Sequence, residues 1–189
     1  PGLGSTYDFP SGSYRPFSPL SAFNGTSPIG IWTLDVEDLF DFDQGFLAGA
    51  TLNITYTQGS STTENITGTA VGSPSLPFDL GPNPADSGTV SFDATALPAD
   101  AVITKVSVLT TFGHDWAGDV RLNLFSPTGT NVELVNNNGL GSDNYGTDFG
   151  ATSGDYLFDD AGTTTVSPIP GFDQDIPSGT YRPNQPLSA

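Results

Sequence analysis

The sequence predicts an all-β protein, an antiparallel β-sandwich of jelly-roll-like design. Three observations carry this. Short runs rich in Val, Ile, Phe and Thr are broken by Gly, Asn, Asp and Pro, which is strand-and-turn punctuation. Several of those runs alternate apolar and polar residues with a period of two, so each strand has one face for a core and one for solvent. No stretch shows a convincing helical period. With 189 residues the chain is long enough to bury a real core as one domain, or as one domain and a linker.

In chain order, Trp32, Leu34 and Val36 share one face of a strand over Ile31 to Val36. Leu52, Ile54 and Tyr56 do the same within Thr51 to Tyr56, and Val90 and Phe92 alternate in a shorter run. Val102 to Phe112 is long and nearly continuous in apolar residues and Thr, as expected of a central strand. Val120, Leu122 and Leu124 line one face of Asp119 to Phe125. Ser126 to Thr130 follows as a turn, because Pro127 presets φ and Gly129 accepts the left-handed region. Residues 57–84 open on the low-complexity run Thr57 to Thr63 and close on Gly81-Pro82-Asn83-Pro84, and are expected to form a linker.

Composition excludes several functions. The chain has no cysteine, so neither a disulfide nor a thiolate metal site is available. Four Lys and Arg stand against 21 Asp and Glu, a net charge of −17. Such a surface repels phosphates, so neither nucleic acid nor an anionic membrane is an expected partner. No apolar run approaches the about 20 residues that span a bilayer, and no membrane insertion is expected.

One phrase occurs twice. Residues 10–22, Pro-Ser-Gly-Ser-Tyr-Arg-Pro-Phe-Ser-Pro-Leu-Ser-Ala, return as residues 177–189, Pro-Ser-Gly-Thr-Tyr-Arg-Pro-Asn-Gln-Pro-Leu-Ser-Ala, with ten of thirteen positions identical. The lag, Pro10 to Pro177, is 167 residues. This is an internal repeat, and the chain reads as one period of a repeating polypeptide with a short overrun. Its ends are therefore expected to fall inside domains.

From Val102 onward the residues resemble the P domain (Homo B domain) of subtilisin-like proprotein convertases and bacterial secreted proteins. His114-Asp115-Trp116-Ala117-Gly118-Asp119-Val120-Arg121-Leu122 and the turn Ser126 to Thr130 carry the family's first hallmark. Asp143-Asn144-Tyr145 and Tyr156-Leu157-Phe158-Asp159-Asp160 match its aromatic and acidic stretch. Gly12, Tyr14, Pro16, Leu20, Phe23, Gly25, Gly30, Trp32, Leu34, Val36 and Asp38 match its C-terminal motif, followed by Asp43, Gly45 and Leu47. The order is inverted, because the family's C-terminal half comes first here.

Two arrangements fit that inversion. The chain is either a permuted domain closed on itself, with two copies of one segment competing for one slot, or a link between neighbours. In the second arrangement residues 1–56 complete the preceding unit, 57–84 link, and 85–189 begin a unit that the next one completes. Each slot is then filled once and no sheet edge stays open, so the second arrangement is the expected one. The resemblance then implies a non-catalytic repeat unit of an extracellular filament, stalk or adhesin, whose partners are copies of itself joined head to tail. The alternatives are an accessory P domain of a secreted protease and a carbohydrate-binding module, in which Trp116 and Tyr145 would stack on surface glycans.

The chemistry candidates are few. His114 is the only histidine; no nucleophile-elbow sequence accompanies it, and the resemblance gives it a structural place, so no catalytic residue is expected. Asp38, Asp41 and Asp43, with Gly45 behind them, look like the opening of a calcium loop, although no Glu closes it at EF-hand spacing. Asp115, Asp119, Asp159 and Asp160 form a second candidate cluster for the same cation. Some bacterial P domains carry calcium, so the resemblance favours that ion. Asn24, Asn53 and Asn65 head glycosylation sequons, no more of them than so Ser- and Thr-rich a chain yields by chance.

Overall fold

The computed structural model describes residues 8–9, 11–39, 45–67, 69–71, 78–80, 87–114, 120–136, 144–145 and 154–165. It is nearly all β. The strands are β1 (Asp8–Phe9), β2 (Gly12–Arg15), β3 (Ile31–Asp38), β4 (Gly45–Gln58), β5 (Ser60–Thr67), β6 (Thr69–Val71) and β7 (Phe78–Leu80). They continue as β8 (Ser87–Asp93), β9 (Val102–His114), β10 (Val120–Phe125), β11 (Asn131–Asn136), β12 (Asn144–Tyr145), β13 (Gly154–Phe158) and β14 (Thr164–Thr165). A short 3-10 helix, Leu20–Phe23, is the one helical turn among the described residues.

Two sheets pack face to face. One has the order β11-β10-β3-β8-β6. The other is centred on β9, with β4 on one side and β13, β2 and β14 on the other, while β5 and β7 extend it beyond β4. Most pairings are antiparallel; β2 runs parallel to both β13 and β14.

The period-two patterns become the inner faces. In β3, Trp32, Leu34, Val36 and Asp38 point inward and the residues between them are half-buried. In β4, Leu52, Ile54 and Tyr56 are buried as their alternation predicts. The strand extends further back than Thr51 because a register shift between Leu47 and Gly49 resets the phase, keeping Leu47 and Ala50 both inside. In β9, Val106, Val108, Thr110 and Phe112 face the core, and in β10 Val120, Leu122 and Leu124 do. The Ser126 to Thr130 turn closes with Gly129 at φ 84° and its N–H donating to the Ser126 carbonyl at 2.9 Å.

Two expectations change. Residues 57–84 are not a linker throughout. β4 continues to Gln58, and the chain reverses at Gly59, whose φ of 77° needs no Cβ penalty. β5 then returns antiparallel along Gln58 to Thr51. The Thr-rich composition that reads as low complexity is also β-branched, and an unpaired edge of β4 gives it a strand to join. In addition, residues 12–58 do not stand apart from 87–158. β3 lies between β8 and β10, β4 pairs along the whole of β9, and β2 pairs with β13, all within one chain. This is the closed, permuted arrangement, in which one polypeptide supplies both halves of its own sandwich.

Trp32 is fully buried, donates its indole N–H to the Pro28 carbonyl at 2.8 Å, and meets Phe23 edge to face at 4.9 Å between centroids. Trp32→Ala should therefore cost about 3–5 kcal/mol of unfolding free energy. Denaturant titration of the two proteins checks this, and near-equal midpoints with equal slopes would contradict the assignment of Trp32 to the core.

Candidate functional site

The best-defined recognition geometry surrounds the first copy of the repeated segment. Pro16 and Pro19 hold this stretch extended, and neither has an N–H to leave unsatisfied. Gly12, Ser13 and Tyr14 pair in parallel with Tyr156, Leu157 and Phe158 of β13, and Tyr14 and Arg15 pair on the other side with Thr164 and Thr165. The segment then crosses to the other sheet, where the N–H groups of Phe17 and Ser18 donate to the carbonyls of Leu134 and Glu133 on the edge strand β11, at 3.0 and 2.8 Å. Leu20 and Phe23 enter the core from the 3-10 turn, both fully buried. Beyond it, Gly25 and Ile103 are joined by a bond from the Gly25 N–H, and Thr26 accepts one back from the Ile103 N–H. The strap thus ties the two sheets together across one end of the sandwich.

Residues 159–162 act as a latch on this strap. The Asp159 N–H donates to the Tyr14 carbonyl at 2.9 Å. The Asp160 carboxylate takes both N–H groups that open the 3-10 turn, Leu20 to Oδ1 and Ser21 to Oδ2, each at 2.8 Å. A carboxylate is suited to this role because the first N–H groups of a helical turn have no internal acceptor. Gly162 lies so close to the Tyr14 and Arg15 backbone that any Cβ there would collide with it. Tyr14 is buried against Tyr156, with ring centroids 5.8 Å apart. Burial pushes its phenol pKa up to about 12, because the phenolate would lose its water.

The acidic candidates fall into different roles. Asp159 accepts from the Ala161 N–H at 2.9 Å through Oδ1 and meets Lys105 at 2.6 Å through Oδ2. Both carboxylates thus accept from protein donors. Asp38, at the inner end of β3, is fully buried and faces His114 of β9, with 3.5 Å between Oδ2 and Nε2. The pair bridges the two sheets, and Gly45 is required beside it because a Cβ there would overlap the imidazole and the Gly113 carbonyl. His114 thus occupies the interior of the sandwich. Among the described residues no three acidic, His or Cys side chains cluster around a point where a metal would sit. Asp41, Asp43, Asp115 and Asp119 lie outside the described residues, as does Trp116.

Of the sequons, Asn24 is exposed just after the 3-10 turn, and Asn53 is half-buried in β4 with its amide 3.5 Å from the Ser107 hydroxyl. Asn65 lies in β5. The latch itself was missed by sequence reasoning, which treats Asp159 and Asp160 as metal ligands. Only the fold shows that the strap passes over these residues.

Fold and motifs together define an all-β sandwich. Residues 103–155 match the family model of the proprotein convertase P-domain, a stretch running from the start of β9 into β13. The matched stretch lies within the resemblance read from Val102 onward. No curated protein and no solved structure matches the chain. The P domain is an accessory domain found in secreted proteins, and among the described residues no helix is long and apolar enough to cross a membrane.

Two outcomes follow for the strap. Because the raised phenol pKa keeps Tyr14 protonated in the fold when the unfolded chain has begun to ionise, the phenol's contribution to stability should be constant below pH about 10. It should then fall between about pH 10 and 12 by up to about 1.4 kcal/mol per unit. Tyr14→Phe should lack that part of the alkaline loss, and identical alkaline profiles in the two proteins would contradict the burial of the phenol. Asp160→Ala, which strips the turn of both acceptors, should lower stability by about 1–2 kcal/mol, as loss of a capping side chain does; an unchanged melting temperature would show the latch to be idle.

Proposed function

We propose that this chain is a non-catalytic structural repeat unit of an extracellular filament, stalk or adhesin, joined head to tail by strand complementation between copies. The single observation that carries the reading is the doubled segment. One sandwich has one slot for the strap, which residues 10–22 fill, and the chain carries a second version of the same strap. An accessory domain serving one catalytic partner needs only one.

The surface fits an extracellular role. A charge of −17 keeps copies from aggregating indiscriminately, so association depends on specific main-chain pairing. The absence of cysteine and methionine also leaves no readily oxidised sulfur. The P-domain match supports a place in a secreted protein and, by itself, equally an accessory domain of a protease. Calcium belongs to this reading through Asp38, Asp41 and Asp43, whose oxygens suit that ion and which lie in the sequence between the end of β3 and the start of β4.

The test is assembly of the purified chain. Light scattering across a concentration series and negative-stain electron microscopy should show linear polymers of uniform width. A monodisperse monomer at every concentration would remove the filament reading and leave the accessory P domain. For calcium, the melting temperature should rise with the ion and fall with chelator, and much less so in an Asp41→Asn, Asp43→Asn variant. Superimposable melting curves would make the acidic loop a solvated surface.

A further inference from the structure

The three positions at which the two copies of the strap differ are not scattered. They are Ser13, Phe17 and Ser18, replaced by Thr180, Asn184 and Gln185. In the fold, Ser13 and Phe17 are exposed, Phe17 by 53%, and Ser18 is only partly covered. Every side chain that the slot buries is kept: Tyr14, Pro16 and Leu20 return as Tyr181, Pro183 and Leu187. Ser11, whose hydroxyl accepts the Asp155 N–H at 2.9 Å, returns as Ser178. The bonds from residues 17 and 18 to β11 use backbone N–H groups, which Asn184 and Gln185 also possess. The N–H groups that Asp160 captures belong to Leu20 and Ser21, which return as Leu187 and Ser188. The two copies therefore agree at every position the slot buries, and their three differences fall at exposed or half-buried positions, where Ser11, Gly12, Pro19, Ser21 and Ala22 agree as well.

From this we infer that the closed chain is a self-capped form. Residues 10–22 are the placeholder in a slot that residues 177–189 of a second copy of this chain enter in the same register. Tyr181 would stack on Tyr156, and Asp160 would accept from Leu187 and Ser188. The inference rests on the head-to-tail reading above and adds its register, its recognition groups and its control, because assembly requires displacement of the resident strap. An incoming copy makes the same main-chain bonds that the resident loses, so the exchange is close to balanced and small biases decide its direction. A strap lacking a contact loses the slot to one that keeps it.

The absence of native cysteine allows a clean test in the full chain. Ser13 is the register partner of Leu157 in β13, so position 180 of an incoming strap would lie opposite Leu157, at a spacing a disulfide can bridge. One preparation carries Leu157→Cys and another Thr180→Cys, and the two are mixed under mild oxidation. The expected result is a disulfide-linked dimer of one chain of each kind, not obtained from either preparation alone. Weakening the resident strap with Tyr14→Ala in the Leu157→Cys chain should raise the yield roughly tenfold, the effect of a shift of about 1.4 kcal/mol between occupants. Should that variant fail to fold, Phe17→Pro, at an exposed position, removes one N–H donor from the resident alone and should act in the same direction. Tyr181→Ala in the Thr180→Cys chain should abolish the dimer. No mixed disulfide, or one insensitive to both the resident and the incoming substitutions, overturns the inference. Polymers without the mixed disulfide would keep the filament and discard the slot exchange, and a mixed disulfide confined to closed dimers would do the reverse.

Discussion

The pairing of β4 with β9 is the constraint on which the rest of the molecule depends. It runs from Gly45 opposite His114 to Thr57 opposite Val102 and joins segments far apart in sequence. Both strands bury a continuous inner row, Leu47 to Tyr56 on one and Ile103 to Phe112 on the other. The second sheet repeats the relation, since β3 is held between β8 and β10. Each sheet therefore interleaves strands from the early and the later parts of the chain, β3 between β8 and β10 in one and β4 and β2 on either side of the β9–β13 pair in the other. Neither part can form a sheet without exposing two long, apolar central edges, which is the condition sandwich proteins avoid most strongly.

That division makes the closure seen here and the exchange proposed above related rather than opposed. The order of the halves in the polypeptide has no effect on the contacts they make, so the same strands can complete a sandwich from within the chain or from a neighbour. Within one chain the tight turn at Gly59 and the β4–β5 hairpin lead the polypeptide out of one half and towards the other. What differs between the outcomes is the entropy of connecting the halves, a slowly varying function of linker length, not the core.

Polar groups mark the two ends of the sandwich. At one end Asp38 and His114 face each other between the sheets, a placement that tolerates only Gly at position 45. At the other features of the fold, the strap over β13 is held by main-chain bonds and by the carboxylate of Asp160. Main-chain recognition is indifferent to most side chains, and the side chains the strap buries are those of Tyr14, Pro16 and Leu20.

The sequence by itself determined the class of fold, the inner faces of β3, β4, β8 and β10, the central position of β9, the turn at Gly129 and the existence of a doubled segment. These are local properties: a period of two, a Pro-x-Gly turn, and identity between two segments are all written along the chain. Only the tertiary structure decided which half pairs with which, that the Thr-rich stretch after Gln58 adds a strand, and that Asp159 and Asp160 hold a backbone. The reason is physical in each case. A carboxylate cluster has the same composition whether it faces a cation, a lysine or a row of N–H groups, and a Thr-rich run becomes strand or coil according to whether an edge lies beside it. Likewise, only burial showed that Tyr14, Pro16 and Leu20 are the repeated side chains that the slot encloses.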